Sequence, residues 1–240
     1  MGIKPKILLA TPTARAKDYC LKDWLKKIKS LSYLNYDILI VDNSPEQNYY
    51  KHIQKLLGKS KKRKHEVIRY TPPNSNKSLQ EIMCDCNNLI RDYVLKNDYE
   101  YLFSLESDVF PSNNIIQRLL AARADVATAY YFIGTNHDSF LLTRDLEPFG
   151  RNVFDFDKSI EQAFIDFDGI NKKAYQTGLG CILISRKVLK SIPFRVDKTN
   201  PSTHADTFFH EDLRNANVNV VGIDVICEHR NNAVFWEKIK

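Results

Sequence analysis

Two acids, Glu106 and Asp108, flank Ser107 where the apolar and aromatic run Tyr99 to Leu105 gives out. A slight turn at the end of an extended strand lets both carboxylates approach one hydrated divalent cation. Carboxylate oxygens suit magnesium or manganese, ions that keep waters and take phosphate oxygens as further ligands. The same acids would also serve to cap a following helix or to face solvent. A second acidic group, His210-Glu211-Asp212, follows Phe208-Phe209 and precedes a short predicted helix. A carboxylate there can take a proton from a hydroxyl, and it can equally be placed by the positive end of a helix dipole. His229, between Glu228 and Arg230, offers an imidazole as a third metal donor, although a lone histidine is more often structural.

The elements that must position these residues read as alternating strands and helices. Lys6 to Ala10 is a continuous apolar run that ends at Thr11-Pro12-Thr13, and Asp37 to Val41 is a second one that stops at Asp42-Asn43-Ser44-Pro45. Between them, Tyr19, Cys20, Trp24 and Ile28 fall at helical spacing, so the opening unit is strand, helix, strand of a parallel sheet. A helix from about Gln47 to Leu57 leads to a third strand, Glu66 to Tyr70, which Pro72-Pro73 breaks. The clearest helix carries Leu79, Ile82, Met83, Cys86, Leu89, Ile90, Tyr93 and Val94 on one stripe, and Ser78 with Glu81 predicts a reciprocal capping box at its start.

Tyr99 to Leu105 is the fourth strand, Asn114 to Arg123 a short helix and Asp125 to Phe132 a fifth strand. From Gly134 to Asn171 the pattern loosens into an aromatic, acidic stretch, Phe154-Asp155-Phe156-Asp157 and Phe164 to Asp168, read as a substrate-facing insertion. Regularity returns at Lys173 to Gln176 and at Cys181 to Ile184, with Gly178 and Gly180 in the turn between. A helix near Arg186 and a last strand, Asn217 to Asp224, leave His229 in the tail.

The expectation is therefore an α/β chain with a mostly parallel, Rossmann-like central sheet flanked by helices. In such a sheet ligands bind beyond the carboxyl ends of the strands, where Thr11-Pro12-Thr13, Asp42-Asn43, Glu106-Ser107-Asp108 and the Gly178/Gly180 turn all fall. The 240 residues, 43% of them apolar, can bury a sizeable core, and one large domain is favoured over two small ones. With no long apolar run and no secretory pattern at the start, the protein is expected to be soluble and cytoplasmic, with no transmembrane segment. Five scattered cysteines are then expected to be buried thiols, and Cys84 and Cys86 face apart on their helix and form no zinc pair. The net charge of +6 is concentrated in Lys59-Ser60-Lys61-Lys62-Arg63-Lys64, either a solvated loop or a footprint for a polyanion.

In order and spacing these residues resemble the metal-dependent, GT-A fold glycosyltransferases, close to the family 2-like branch, from Ile7 to about His229. The resemblance implies one glycosyltransferase domain over 1–240, with a nucleotide-binding half over 1–132 and an acceptor and catalytic half over 133–240. It implies that Thr11, Pro12, Thr13, Asp42 and Asn43 meet the nucleotide of a UDP- or GDP-sugar. Glu106-Ser107-Asp108 then corresponds to the family's Asp-x-Asp motif, with Asp108 on Mn2+ or Mg2+ directly, Glu106 on it through water or on the ribose, and His229 completing the metal site. Gly178 and Gly180 would lead a strand beside the donor sugar, where missing side chains let the ligand approach. Glu211-Asp212 would supply the catalytic base, Asp212 first and Glu211 as its fallback. The implied reaction moves a sugar to an acceptor glycan or other hydroxyl compound; inversion with a carboxylate base is favoured and a retaining route stays open.

Two other classes remain. A nucleotidyltransferase acting on a sugar phosphate also uses strand-end acids and a divalent ion, but the turn Thr11 to Arg15 is not glycine-rich. A nucleic-acid-binding protein, or a glycosyltransferase that modifies DNA, would use Lys59 to Lys64, a run without interleaved aromatics.

Overall fold

The computed structural model describes residues 4–73, 76–135, 138–141, 143–144, 172–174, 176–197, 199 and 204–230. Strand β1 (Ile7–Thr13) is buried on both faces because it sits inside the sheet: Ile7 and Leu9 join one apolar cluster and Leu8 and Ala10 the other. β2 (Tyr36–Asp42) and β4 (Tyr101–Leu105) flank it in parallel, and β3 (His65–Arg69) adds to β2, also in parallel. This is the expected opening, and it puts Thr13, Asp42, Arg69 and Leu105 at one edge.

The second half of the sheet is partly antiparallel. β11 (Cys181–Ser185) runs antiparallel between β4 and β6 (Val126–Thr135), and β12 (Val220–His229) lies parallel to β6. The whole order is β3-β2-β1-β4-β11-β6-β12-β5, with β5 (Val109–Phe110) antiparallel to the end of β12. β7 (Asp138–Leu141) pairs antiparallel with β6, β9 (Lys172–Ala174) antiparallel with β12, and β8 (Thr143–Arg144) with β10 (Gln176–Thr177). Most of the stretch expected to face substrate, Phe154 to Asp168 included, lies outside the described residues.

Helices cover both faces. α1 (Asp18–Lys29), α2 (Tyr49–Leu57) and α4 (Ile115–Ala121) bury their apolar sides against one cluster, with Trp24 fully enclosed. α3 (Leu79–Lys96), α5 (Arg186–Ser191) and α6 (Ala205–Asn215) do the same on the other face, where Phe194 stacks on Phe209. The capping box at α3 forms as read: Ser78 Oγ accepts from Glu81 N at 3.2 Å and Glu81 Oε2 accepts from Ser78 N at 2.9 Å. Such a cap is worth about 1 kcal/mol and fixes where α3 begins beside the carboxyl edge.

Two boundaries differ from the sequence reading. The last strand does not end near Asp224 but continues to His229, through a register irregularity between Gly222 and Ile226, because β5 gives its end a partner. His210-Glu211-Asp212 lies within α6 rather than before it; the helix starts at Ala205, after His204. All five cysteines are free and buried. Among the described residues no helix is long and apolar enough to cross a membrane.

Candidate active site

The carboxyl edge of β1, β2 and β4 gathers buried polar side chains, Thr11, Thr13, Asp42, Ser107 and Asp108 among them. The register pairs Thr13 with Asp42, Asn43 N donates to Thr13 O at 2.9 Å, and the hydroxyls of Thr13 and Ser107 lie 2.9 Å apart. Asp42 is fully buried; its Oδ1 accepts from Ser44 N at 2.9 Å, while Oδ2 has no hydrogen-bond donor and Arg69 stands 3.9 Å away. Asn43 Nδ2 points at the Met83 sulfur, and its buried Oδ1 is likewise without a donor. Buried acceptors are normally satisfied, so these two, on consecutive residues, each have capacity for a donor. Thr11 is buried with its hydroxyl on the Pro12 carbonyl, and Pro12 lines the adjoining cleft.

Beyond β4, the chain turns so that Val109 can pair with His229 and Arg230 N can donate to Asp108 O at 2.8 Å. That pairing brings ligand atoms of Glu106, Asp108 and His229 within 4.8 Å of one another. His229 Nε2 is 3.2 Å from Asp108 Oδ2, and the imidazole meets the Tyr131 ring edge-on at 5.5 Å. Lys17, at the end of a short 3-10 turn (Arg15–Lys17) after β1, places its ammonium on the same Asp108 oxygen. Asp108 Oδ1 is buried without any donor.

The charges of this group follow from burial and from each other. Burial alone would raise the Asp108 carboxyl, but the His229 hydrogen bond and the Lys17 ammonium outweigh it and hold it below the ordinary carboxylate range. For Glu106 the balance is reversed: its burial and the nearby Asp108 charge outweigh the pull of His229 and Lys17 and push it up to about 7. A divalent cation fits this set. Two carboxylates and an imidazole converge, one buried carboxylate oxygen lacks a hydrogen-bond partner, and Glu106 stays raised despite the nearby Lys17 and His229.

On the other side of Glu106 a small cleft of about 90 Å³ is lined by Pro12, Met83, Asn87, Ser104, Leu179 and, from the first turn of α6, His204, Ala205 and Asp206. Asp206 is largely enclosed, and burial raises its carboxyl above the usual value although the Thr207 amide donates to it at 2.7 Å. The sequence reading passed over Asp206. The available signal was its place: the first acid after His204, in the first turn of an amphipathic helix that follows a Pro- and Ser-containing connection.

Asp212 and Glu211 are placed differently. Arg195 forks onto Asp212 with bonds of 2.8 and 2.9 Å and reaches Glu211 at 3.3 Å, while stacking on Phe208. Neither acid lines the cleft that holds Glu106 and Asp206. Asp212 lies six residues beyond Asp206, about 9 Å along the helix and on another side of it. Its partner, Arg195, is an arginine at the surface.

Gly180 is at the site, since its carbonyl accepts from Glu106 N at 3.0 Å, but the space left by its missing side chain belongs to Tyr131. A Cβ there would fall 2.6 Å from the Tyr131 ring, and the Tyr131 hydroxyl lies 3.0 Å from Gly180 N. The missing side chain therefore leaves room for the Tyr131 ring. Gly178 is buried next to Thr177, whose hydroxyl lies 3.4 Å from the Gly178 carbonyl.

The basic run lies at the opposite, amino edge. Lys64 N donates to Asp37 Oδ1, Lys64 Nζ binds Glu66 and Tyr93, and Arg63 stacks on Tyr36. Lys59, Lys61 and Lys62 remain exposed, and β3, about 16 Å long, separates them from Asp42 and the cleft.

No protein-family model matches the chain, and no curated protein sequence matches it. Solved structures do. Protein A197 from STIV aligns over 95% of this chain and 86% of its own, at 16% identity and a TM-score of 0.53. Mannosyltransferase PcManGT from Pyrobaculum calidifontis, solved with GDP-Man and Mn2+, aligns over 94% of this chain at 10% identity and a TM-score of 0.59. GalNAc-T7, solved with UDP, GalNAc and Mn2+, aligns over 96% at 9% identity and a TM-score of 0.66. The chain has a GT-A-like fold. It spans only 56% of the mannosyltransferase and 44% of GalNAc-T7.

Proposed function

We propose that the protein is a metal-dependent glycosyltransferase that moves a sugar from a UDP- or GDP-sugar to an acceptor hydroxyl. The observation that carries this reading is the convergence of Glu106, Asp108 and His229 at the carboxyl edge, beside two further buried acceptors, Asp42 Oδ2 and Asn43 Oδ1, that lack donors. Support comes from the fold, which this chain shares with proteins solved with GDP-Man or UDP and with Mn2+.

Asp108, His229 and Glu106 would hold Mn2+ or Mg2+, which supplies positive charge against the departing diphosphate. Asp42 and Asn43 take hydrogen bonds from the nucleoside, and Thr11, Pro12 and Thr13 shape the wall beside it. Asp206 is the base: its carboxyl is enclosed, raised by burial and borders the same cleft as Glu106, so it can accept the proton of an acceptor hydroxyl. A base on the acceptor side is what direct, inverting displacement requires. Arg195 keeps Asp212 and Glu211 in a structural role on α6.

The test is incubation with UDP- and GDP-sugars, with and without Mn2+. Metal-dependent release of nucleoside diphosphate, with inversion at the anomeric carbon seen by NMR, is expected. Release of pyrophosphate from a nucleoside triphosphate, or no diphosphate from any donor with any ion, overturns the reading.

A further inference from the structure

Asp108 is a fixed carboxylate with one movable partner. Its backbone is tied to Arg230 N, its side chain is fully buried, and Oδ2 carries both His229 and Lys17 while Oδ1 carries nothing. A buried ion pair kept for structure gains most when every carboxylate lone pair is satisfied, and this one is half used. Lys17, by contrast, is 41% exposed and reaches in on a flexible stem from the 3-10 turn that follows β1. Among the described residues the site holds the carboxylates Glu106 and Asp108 against the Lys17 ammonium. One divalent cation balances both acids and leaves the lysine's charge in surplus beside the metal ligands.

We propose that Lys17 is a placeholder cation: it holds Asp108 when the metal is away, competes with the divalent ion for Asp108 Oδ2, and passes to the donor diphosphate when the ion binds. This rests on the metal-site reading above. Lys17 is thus a positioning residue for the empty site and a ligand of the filled one. Its place in the chain suits the exchange, because the turn that carries it sits between the nucleotide wall, Thr11 to Thr13, and the metal ligands. The competition makes ion binding weak until the nucleotide arrives, since the diphosphate gives the displaced ammonium a new partner.

The experiment is a titration of the full chain with Mn2+, followed by the electron paramagnetic resonance of the free ion, for the wild type, Lys17→Met, Lys17→Arg and Asp108→Asn. Lys17→Met should bind Mn2+ about tenfold tighter without nucleotide and should bind UDP or GDP about tenfold more weakly at saturating Mn2+. Lys17→Arg keeps a competing cation and should stay near the wild type in Mn2+ affinity. A Mn2+ affinity of Lys17→Met equal to or below that of the wild type overturns the proposal while leaving the metal site standing. No saturable Mn2+ binding by the wild type, or binding unchanged in Asp108→Asn, overturns both.

Should Lys17→Met fail to fold, lysine acetylation of the wild type, read by mass spectrometry, decides the question. Mg2+ should raise labelling of Lys17 several-fold and added UDP or GDP should suppress it again. Labelling that ignores Mg2+ overturns the proposal.

Discussion

His229 Nε2 stands 3.2 Å from Asp108 Oδ2, although 121 positions of chain separate them. The two-residue strand β5 makes the contact possible: Val109 pairs with His229 and Phe110 with Glu228, so the carboxyl end of β12 is pinned beside the turn that carries Asp108. A histidine in a free tail would sample many positions and bind an ion weakly, whereas one held in a ladder presents its ring in a fixed direction.

Asp108→Asn should abolish the manganese-dependent rise in melting temperature produced by UDP or GDP. A ligand at a hundred times its dissociation constant stabilises the native state by about 2.7 kcal/mol, a shift that scanning calorimetry resolves easily. An undiminished shift in the variant would remove Asp108 from the metal site.

Asp206→Asn should lower turnover by about a hundredfold or more while sparing nucleotide affinity, the loss expected when a general base is removed. Asp212→Asn removes only one partner of the Arg195 fork, so turnover should persist and stability should fall by no more than about 1 kcal/mol. Steady-state kinetics on the two variants separates the assignments, and the reverse pattern would return the base to Asp212.

Gly180→Ala should cost about 1–3 kcal/mol in urea denaturation, because its methyl group would meet the Tyr131 ring at 2.6 Å in a packed interior. It should also weaken metal binding, since the Gly180 carbonyl holds the Glu106 amide. A neutral effect on both would mean that Tyr131 can move aside.

His210 gives stability a dependence on pH. Burial, and then the charge of Arg214, push its imidazole down to about 3, and the Thr177 backbone offers help short of a well-formed hydrogen bond. In the unfolded chain the ring titrates near 6.5, so between these values the unfolded state takes up a proton that the native state refuses. This contribution is intact above about pH 6.5 and declines as pH falls toward 3, by a few kcal/mol in all. Urea midpoints at pH 7 and pH 5 should differ less for His210→Leu than for the wild type; an unchanged difference would show that other groups set the slope.

Apolar runs and the capping box made β1, β2, β4 and α3 legible in advance, because burial on both faces and satisfied helix amides are local demands written in adjacent residues. Strand ends could be read for the same reason, which is why Thr13, Asp42 and Asp108 were expected to meet. The direction of β11 was not legible: an apolar segment buried on both faces looks alike whether its neighbour runs with it or against it.

The sequence by itself determined the alternating α/β plan of the first half and the acids that end its strands at the carboxyl edge, since each of these follows from periodicity and composition within a few residues. Only the tertiary structure decided which helix acid looks into the cleft and which is spent on Arg195, that Lys17 reaches Asp108, and that Tyr131 fills the room beside Gly180. Those outcomes depend on side-chain directions and on pairs far apart along the chain, and a linear pattern carries no term for either.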